Sequence, residues 1–514
     1  MNLEKPGKWS AIIFLLFLWS CAGMPSISLG PLVGSKATTP VAVVIDGTKR
    51  HQVMEGFGAT HLPLVYEGRG DVLGPRLRAS AINLVYKQVG ITTGNLEGAL
   101  LESPAGWNER ANDDNDPSTI RWAGFQPFNA RAIKQRLVDL AEPLGFDNYF
   151  LGQKVNVRWA SPWLDQIRNR DYNRYLDEVA EQVVAGQLYW RNEFGIVPRY
   201  EMLFNEPLSG NRELLNGTVR DVVDIIKRAG GRLRDAGFTD IKFIVPNEET
   251  EEISLNTARA ILSDPEARQY VGAIGYHTYP YGSVYSSIPR ILSTSGAGRP
   301  DPGRIAVREA LRDLGSRYGI PVWMTEVSHG SVDPRSFDDL LGRAIHIHDE
   351  LVYADAAAYF GMNNMWDAVS HQLHSGGHDH NLFSEEGTIA LIDNRAEHIY
   401  LTGMGYAIGH YARWIKRGAV RIEATSSDPL LQVSAFREND RRRMIFVTIN
   451  NAPSERQVQF TVNGSSLSGH LIGEQSTAAA YWRPLESFEP GTEGSFSLSV
   501  PAKSVTTIAA QFDG

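Results

Sequence analysis

Eight short apolar segments, separated by helical patterns, constrain the fold of this chain more than any other feature. The predicted strands lie at residues 56–59, 91–96, 154–159, 199–204, 241–245, 273–277, 321–325 and 356–363. Strands that alternate with helices are typical of parallel sheets, and eight such units predict a (β/α)8 barrel over residues 54–415. A doubly wound open sheet is the alternative, but no glycine-rich phosphate loop opens a helix here.

The helical patterns between these strands are clear in two places. After Asp171, a residue suited to cap a helix, apolar residues recur at spacings of three and four: Tyr172, Tyr175, Leu176, Val179 and Val183. A second helix contains residues 222–226 and is predicted to stop at Gly237, ahead of the strand at 241–245.

The pattern changes after Trp414. Residues 456–462 and 495–500 alternate strictly between apolar and polar side chains, residues 444–449 form an apolar run, and Asn463-Gly464 is a turn signal. We therefore expect an antiparallel β-sandwich side domain at 416–514. Residues 41–53 are predicted to add two N-terminal strands to it, joined by a tight turn at Asp46-Gly47.

The N-terminal residues resemble an export signal. Lys5 and Lys8 precede a short apolar run, which predicts a signal peptide at 1–22 and a linker at 23–40. Ser20-Cys21-Ala22 suits ordinary cleavage, whereas residues 18–21 resemble a lipobox that would lipidate Cys21. The protein is thus expected to be secreted or periplasmic, or to be a lipoprotein anchored to a membrane through Cys21.

Charge and cysteine content exclude several kinds of partner and bond. The net charge is −9 and no basic block interrupts the mixed charges, which argues against nucleic acid or an anionic membrane surface as a partner. Since Cys21 is the single cysteine, the mature chain has no intramolecular disulfide and depends on its apolar core.

Two glutamates stand at the ends of predicted barrel strands four and seven. Glu206 follows Phe204-Asn205, and Glu326 follows Met324-Thr325. Catalytic residues of such barrels lie at the carboxyl ends of the strands, and a sugar-cleaving site needs one carboxylic acid and one carboxylate. We therefore predict a retaining glycoside hydrolase with Glu206 as acid/base and Glu326 as nucleophile. A glutamate that merely ends a strand in a solvated loop is the alternative for each residue alone.

Six motifs, in order along the chain, resemble glycoside hydrolase family 30. They are Glu55-Gly56-Phe57-Gly58-Ala59, Ser161-Pro162-Trp163, Asn205-Glu206-Pro207, His277-Thr278-Tyr279, Thr325-Glu326, and Ile408-Gly409-His410-Tyr411 with Arg417-Gly418-Ala419-Val420-Arg421. This family of retaining (β/α)8 glycosidases includes glucosylceramidase, β-1,6-glucanases and several xylanases. The resemblance spans about residues 41–512 and includes the sandwich that packs on the barrel.

The resemblance also implies roles for individual residues and a class of substrate. It implies that Asn205 binds the sugar 2-hydroxyl, that His277 and Tyr279 line the pocket with the tyrosine hydroxyl near the nucleophile, and that Trp163 and Trp366 form subsite walls. The substrate would be a β-linked oligo- or polysaccharide, and the chemistry needs neither a cofactor nor a metal. Two departures from the family pattern, Leu164-Asp165-Gln166 after Trp163 and the absence of a basic residue at the end of strand two, leave the sugar open.

Two other function classes compete with this prediction. One is a carbohydrate-binding barrel without catalysis, which retention of both glutamates argues against. The other is a metal-dependent hydrolase that uses the cluster His371, His374, His378 and His380, although Gly376-Gly377 favours a loop without fixed ligand geometry. The residues Trp163, Trp323 and Trp366 could equally be plain barrel core.

Overall fold

The computed structural model describes most of the chain beyond residue 38. The described residues are 39–61, 65–66, 70–71, 73–96, 116, 119–122, 128–152, 157, 163–210, 212–279, 302–327, 334–368, 387–491 and 494–513. The predicted signal peptide, the Cys21 anchor, nearly all of the predicted linker and the His371–His380 cluster lie outside these residues. None of the helices within the described ranges has the length and apolar character required to cross a bilayer.

Eight parallel strands close into a barrel. In chain order they are Gly56–His61, Thr93–Asn95, Asn148–Leu151, Tyr200–Met202, Lys242–Glu248, Val271–His277, Val322–Glu326 and Ala356–Asp367. Each pairs in parallel with the next, and the eighth returns to the first through pairs such as Ala358 with Gly56. The predicted fold class, a (β/α)8 barrel with an attached β-sandwich, is confirmed.

The third barrel strand is not where the sequence pattern predicted it. We expected residues 154–159, but the strand is Asn148–Leu151 and Val157 lies in a turn. The physical reason is the side chain of Phe150, which packs in the barrel interior 5.5 Å from Phe360 and 6.4 Å from Trp323 between ring centroids. A short aromatic strand that fills the barrel satisfies the core better than the later, more polar segment.

Helices follow the strands and form the outer layer. The α-helices are Arg78–Ile82, Phe128–Ile133, Asp139–Ala141, Trp163–Arg170, Tyr172–Phe194, Val219–Asp235, Glu251–Ser263, Pro265–Arg268, Pro302–Tyr318, Phe337–Tyr353 and Gly403–Ala412, with π-helical turns at Asn83–Gln88 and Lys134–Val138 and a 3-10 turn at Glu142–Leu144. The helix predicted after Asp171 is confirmed, and the Asp171 carboxylate caps it by accepting from the backbone N–H of Arg174 at 3.1 Å.

Additional strands lie beside the barrel. Thr388–Asp393 pairs in parallel with the end of the eighth strand, and His398–Leu401 returns antiparallel to it. A two-stranded hairpin, Val65–Tyr66 with Gly70–Asp71, lies in the loop after the first strand.

The side domain is one continuous nine-stranded sheet that folds over its own core. Its spatial order is Ala480–Pro484, Ser466–Thr477, Ser504–Asp513, Arg443–Asn450, Leu431–Glu438, Val420–Ser426, Val41–Val53, Arg456–Asn463 and Phe496–Val500. Phe446 lies 5.6 Å from Phe496 between ring centroids, although their strands are far apart in this order. The two ends of the sheet therefore face each other across an apolar core, as in a sandwich.

The N-terminal segment differs from the prediction of two strands joined by a turn at Asp46-Gly47. Val41–Val53 is a single strand that pairs antiparallel with Val420–Ser426 and, over residues 41–46, in parallel with Arg456–Asn463. The register shifts between Asp46 and Arg50, where the Asp46 side chain accepts from the backbone of Thr48 at 3.0 Å. The turn signal thus produces a bulge, because strands on both sides keep the chain extended.

The barrel and the sandwich share one compact unit, from Pro40 to Gly514. The strand Arg443–Asn450 explains how: Met444 and Phe446 pack in the sandwich core, while Ile445 and Val447 pack in the core of the barrel layer. A strand buried on both faces reads as a continuous apolar run, which is the pattern of residues 444–449. His410, fully buried on the last barrel helix, contacts Thr507 and Ser476 of the sandwich through its two ring nitrogens.

Candidate active site

The carboxyl ends of strands four, six and seven bring three charged or titratable side chains together. The seventh strand ends at Glu326 and the sixth at His277, while Glu206 follows the fourth strand by four residues. Strands six and seven are direct neighbours, with Glu326 paired opposite His277. Residues 120 positions apart in the chain therefore meet at one end of the barrel.

The two glutamates face each other at short range. One carboxylate oxygen of Glu206 lies within 4.8 Å of one of Glu326, and each residue is only 5% exposed. Retaining glycosidases place their two carboxyl groups about 5–5.5 Å apart, whereas inverting enzymes need about 6.5–9.5 Å to admit a water between them. The observed separation suits direct attack by one carboxylate on the sugar.

Each glutamate has a different hydrogen-bonding partner. The Nδ1 atom of His277 lies 3.0 Å from Oε1 of Glu206 and 4.0 Å from Oε1 of Glu326, and its ring is fully buried. The hydroxyl of Tyr279 donates to Oε1 of Glu326 at 2.8 Å. These contacts fix the two carboxylates separately, which lets them carry out different steps.

Asn205 presents a polar group into the same region. It is 5% exposed, and its backbone N–H donates to Oε2 of Glu213 at 3.0 Å. Its side-chain Oδ1 has no hydrogen-bond partner among the residues that the structure describes. A buried amide oxygen without a protein partner is suited to accept a hydrogen bond from a polar ligand group.

The backbone around Glu206 is strained and tightly held. Glu206 has a left-handed φ of 53°, and its N–H donates to the carbonyl of Asn247 at 2.7 Å. Asn247 in turn accepts from the Thr325 hydroxyl at 2.9 Å and donates to the carbonyl of Phe204 at 3.2 Å. Gly275 is required beside it, because a Cβ there would lie 1.9 Å from Oδ1 of Asn247. Strands four, five and seven are therefore locked together next to the site.

Among the residues that the structure describes, Glu206, His277 and Glu326 are also close enough together to hold a metal ion. A tetrahedral zinc with ligands at about 2.0–2.1 Å keeps its ligand atoms about 3.3 Å apart. The 4.0 Å between His277 Nδ1 and Glu326 Oε1 is longer, so this site would have to contract around a metal. The histidine cluster at 371–380, the other predicted metal candidate, lies outside the described residues.

The three tryptophans considered from the sequence occupy different positions. Trp323 is fully buried inside the barrel, with its ring centroid 4.9 Å from that of Tyr200, and is therefore core. Trp163 begins a helix and packs in the main hydrophobic core at 9% exposure. Trp366 lies near the end of strand eight and is half-buried. The subsite roles of Trp163 and Trp366 stay predictions.

Two glutamates that the sequence reasoning missed also belong to the site. The fifth strand runs to Glu248, three residues beyond the predicted end at Val245, and Glu249 follows. Burial raises the pKa of Glu248 to about 7. Burial, and secondarily the charge of Glu206, raises the pKa of Glu249. The available signal was a polar run, Asn247-Glu248-Glu249, at the carboxyl end of a barrel strand.

Comparison with known proteins identifies the relatives of this chain. Residues 418–508 match the family model described as the glycosyl hydrolase family 30 beta sandwich domain. The chain is 25% identical over 290 residues to the glucuronoxylanase XynC of Bacillus subtilis, in an alignment that covers 54% of each protein. The chain thus spans about half the length of the curated relatives it matches.

Solved structures share the fold over nearly the whole chain. A glycoside hydrolase family 30 subfamily 8 xylanase from Clostridium acetobutylicum is similar with a TM-score of 0.62 at 20% identity, covering 91% of this chain and 99% of that one. The endo-beta1,6-glucanase BT3312 is similar with a TM-score of 0.61 at 18% identity, covering 93% and 94%. The predicted resemblance to glycoside hydrolase family 30 is confirmed.

Proposed function

We propose that this protein is a retaining glycoside hydrolase that cleaves β-linked polysaccharides by double displacement, with Glu206 as acid/base and Glu326 as nucleophile. The observation that carries the proposal is the distance of at most 4.8 Å between one oxygen of each carboxylate. That distance is shorter than the separation of about 6.5–9.5 Å by which inverting enzymes admit a water between the two carboxyl groups.

In the first step, Glu326 attacks the anomeric carbon while Glu206 protonates the departing glycosidic oxygen. The Tyr279 hydroxyl donates to Oε1 of Glu326 at 2.8 Å and so orients the nucleophile towards the sugar. The C–O bond to the leaving group breaks, the proton of Glu206 moves to that oxygen, and a covalent glycosyl–enzyme forms at Glu326.

In the second step, Glu206 is a carboxylate and removes a proton from water, which attacks the same anomeric carbon. Glu326 leaves as a carboxylate and the product keeps the β configuration. The close contact of Glu206 with His277 Nδ1, at 3.0 Å, holds this carboxyl group in one orientation through both steps. Asn205, whose side-chain oxygen is buried without a partner among the described residues, would bind the sugar 2-hydroxyl.

The names of similar proteins support a choice of substrates to test. The similar proteins are a glucuronoxylanase, a xylanase and an endo-β1,6-glucanase by name, so xylan and β-1,6-glucan are the first substrates to test. A screen of purified protein against both polysaccharides and against β-1,6-galactan identifies the sugar, and insensitivity to a chelator separates this function from metal-dependent hydrolysis.

The test of the mechanism compares two variants on aryl β-xylobiosides and aryl β-gentiobiosides. Glu206→Gln is expected to lower kcat/KM by about 10²–10⁴-fold for a phenyl leaving group, which needs the proton, but little for 2,4-dinitrophenyl, which does not. Glu326→Ala is expected to lower turnover of both by about 10⁴-fold or more, and azide should restore it with an α-glycosyl azide as product. Equal losses in Glu206→Gln, or no azide product from a folded Glu326→Ala, would refute the assignment.

A further inference from the structure

We propose that Glu248 and Glu249, consecutive residues at the end of the fifth barrel strand, are positioning residues that hold the acid/base carboxylate of Glu206 in place. The inference rests on the proposed role of Glu206. Each of the two side chains accepts hydrogen bonds from a different part of the turn that contains Glu206, residues 206–210.

Glu248 accepts hydrogen bonds from the middle of the turn. Its Oε2 accepts from the backbone N–H of Leu208 at 3.3 Å, from that of Ser209 at 3.1 Å and from the Ser209 hydroxyl at 2.6 Å. The residue is fully buried, so these donors have no water to replace the carboxylate. Its Oε1 has no hydrogen-bond partner in the described part of the chain. One oxygen thus performs the whole contact, and an amide oxygen could do the same.

Glu249 accepts a hydrogen bond from the end of the turn, and its carboxyl group lies close to that of Glu206. Its Oε2 accepts from the backbone N–H of Gly210 at 3.2 Å. A Cβ on Gly210 would lie 2.1 Å from Oε2 of Glu206 and 3.3 Å from Cδ of Glu249, so both carboxyl groups pack against the same glycine. Burial raises the pKa of Glu249, and the nearby Glu206 raises it further.

The backbone of Glu249 connects the turn at 206–210 to the residue that contacts the nucleophile. Its N–H donates to the Ser209 hydroxyl at 3.0 Å, and its carbonyl accepts from the N–H of Tyr279 at 3.1 Å. Tyr279 is the residue whose hydroxyl contacts Glu326. A single residue therefore fixes the spacing between the acid/base turn and the support of the nucleophile.

The turn needs such support because its backbone is not in a relaxed conformation. Glu206, the first residue of the turn, has a left-handed φ of 53°. Non-glycine residues avoid this region unless the surrounding structure holds them there. Without the two carboxylates, the turn would relax and carry the Glu206 side chain away from the sugar.

The first test replaces Glu248 by alanine and by glutamine. Glu248→Ala is expected to lower kcat/KM for phenyl β-xylobioside or phenyl β-gentiobioside by about 10–10²-fold, with less than about threefold loss for the 2,4-dinitrophenyl compounds. Glu248→Gln keeps an acceptor oxygen and is expected to stay within about threefold of wild type on both. Activity on the 2,4-dinitrophenyl substrate shows that the alanine variant is folded.

The second test replaces Glu249 by alanine, with Glu252→Ala on the exposed start of the next helix as matched control. Alanine removes the oxygen that accepts from the Gly210 N–H and the carboxyl group that packs against the same glycine as Glu206. The ratio of kcat/KM for the phenyl compound to kcat/KM for the 2,4-dinitrophenyl compound is therefore expected to fall by about tenfold, and not in the control.

The outcomes separate this inference from the proposed function. Suppose that Glu206→Gln lowers kcat/KM mainly for the phenyl substrate, but Glu248→Ala lowers kcat/KM equally for both substrates or for neither. The positioning role of Glu248 is then wrong, while the proposed function stands. An unchanged ratio of the two kcat/KM values in Glu249→Ala would overturn the role of Glu249. If Glu206→Gln itself shows no dependence on the leaving group, the proposed function fails first.

Discussion

Substitution of Gly210 by alanine is the sharpest single perturbation of the acid/base that this structure allows. The new Cβ would lie 2.1 Å from Oε2 of Glu206 and 2.9 Å from its Cδ. Ordinary contacts of a Cβ begin at 3.4 Å, so the carboxyl group must retreat by roughly 1.3 Å if the backbone stays in place. Glu206 is only 5% exposed, so neighbouring atoms restrict the space into which its carboxyl group can move.

The expected cost follows from that displacement. A misplacement of about 1 Å in a catalytic group can cost about 10²-fold in rate. Since only poor leaving groups need the proton of Glu206, the loss should be about 10²-fold in kcat/KM for phenyl β-glycosides and much smaller for 2,4-dinitrophenyl β-glycosides. The assay is the ratio of the two kcat/KM values, which cancels differences in the amount of folded protein.

The matched control is Gly237→Ala. Gly237 also has a positive φ, 85°, but a Cβ there would meet no atom within 4 Å. It therefore imposes a comparable backbone strain, a destabilisation of about 1 kcal/mol, without moving a catalytic group. A folded Gly210→Ala variant whose kcat/KM ratio equals that of Gly237→Ala would refute the argument that Glu206 acts as the acid from this position.

Two further predictions concern the nucleophile and the joint between barrel and sandwich. Tyr279→Phe removes the hydroxyl that donates to Glu326, and kcat/KM should fall by about 10–10²-fold for good and poor leaving groups alike; a loss confined to poor ones would contradict this assignment. Burial lowers the pKa of His410 to about 3, so the unfolded chain takes up a proton below its ordinary pKa of about 6.5 while the folded chain does not. Its contribution to stability is therefore lost as pH falls from about 6.5 towards 3, by about 2 kcal/mol at pH 5. Urea unfolding of His410→Gln at pH 7 and 5 should show a smaller loss of stability in acid than wild type, whereas His470→Gln, at an exposed histidine, should match wild type.

Much of the barrel could be predicted from local patterns. Seven of the eight strands lie where apolar runs and turn residues indicated, because strand formation there follows from nearby side chains. The third strand was predicted at the wrong position because Phe150 packs against residues of other strands inside the closed barrel. A local sequence pattern contains no information about those contacts. For the same reason Asp46-Gly47 became a bulge: its strand has neighbours on both sides.

In the candidate site, too, some features follow from local sequence and others only from tertiary contacts. The positions of Glu206 and Glu326 at one end of the barrel were predictable, because residues at the carboxyl ends of predicted parallel strands meet there. Glu248, Glu249 and Gly210 were not, since their importance comes from hydrogen bonds and close contacts between two loops. The predicted strand ended before Pro246, a residue that ordinarily breaks β structure.

The sequence by itself determined the order of strands and helices, the family resemblance and the two glutamates, because each of these depends on residues adjacent in the chain. Only the tertiary structure decided how far apart the two carboxylates lie and what holds them there. Those distances arise when closure of the barrel sets the register between strands, which brings the loops after strands four and five into contact and leaves space at Gly210 for nothing larger than a hydrogen atom.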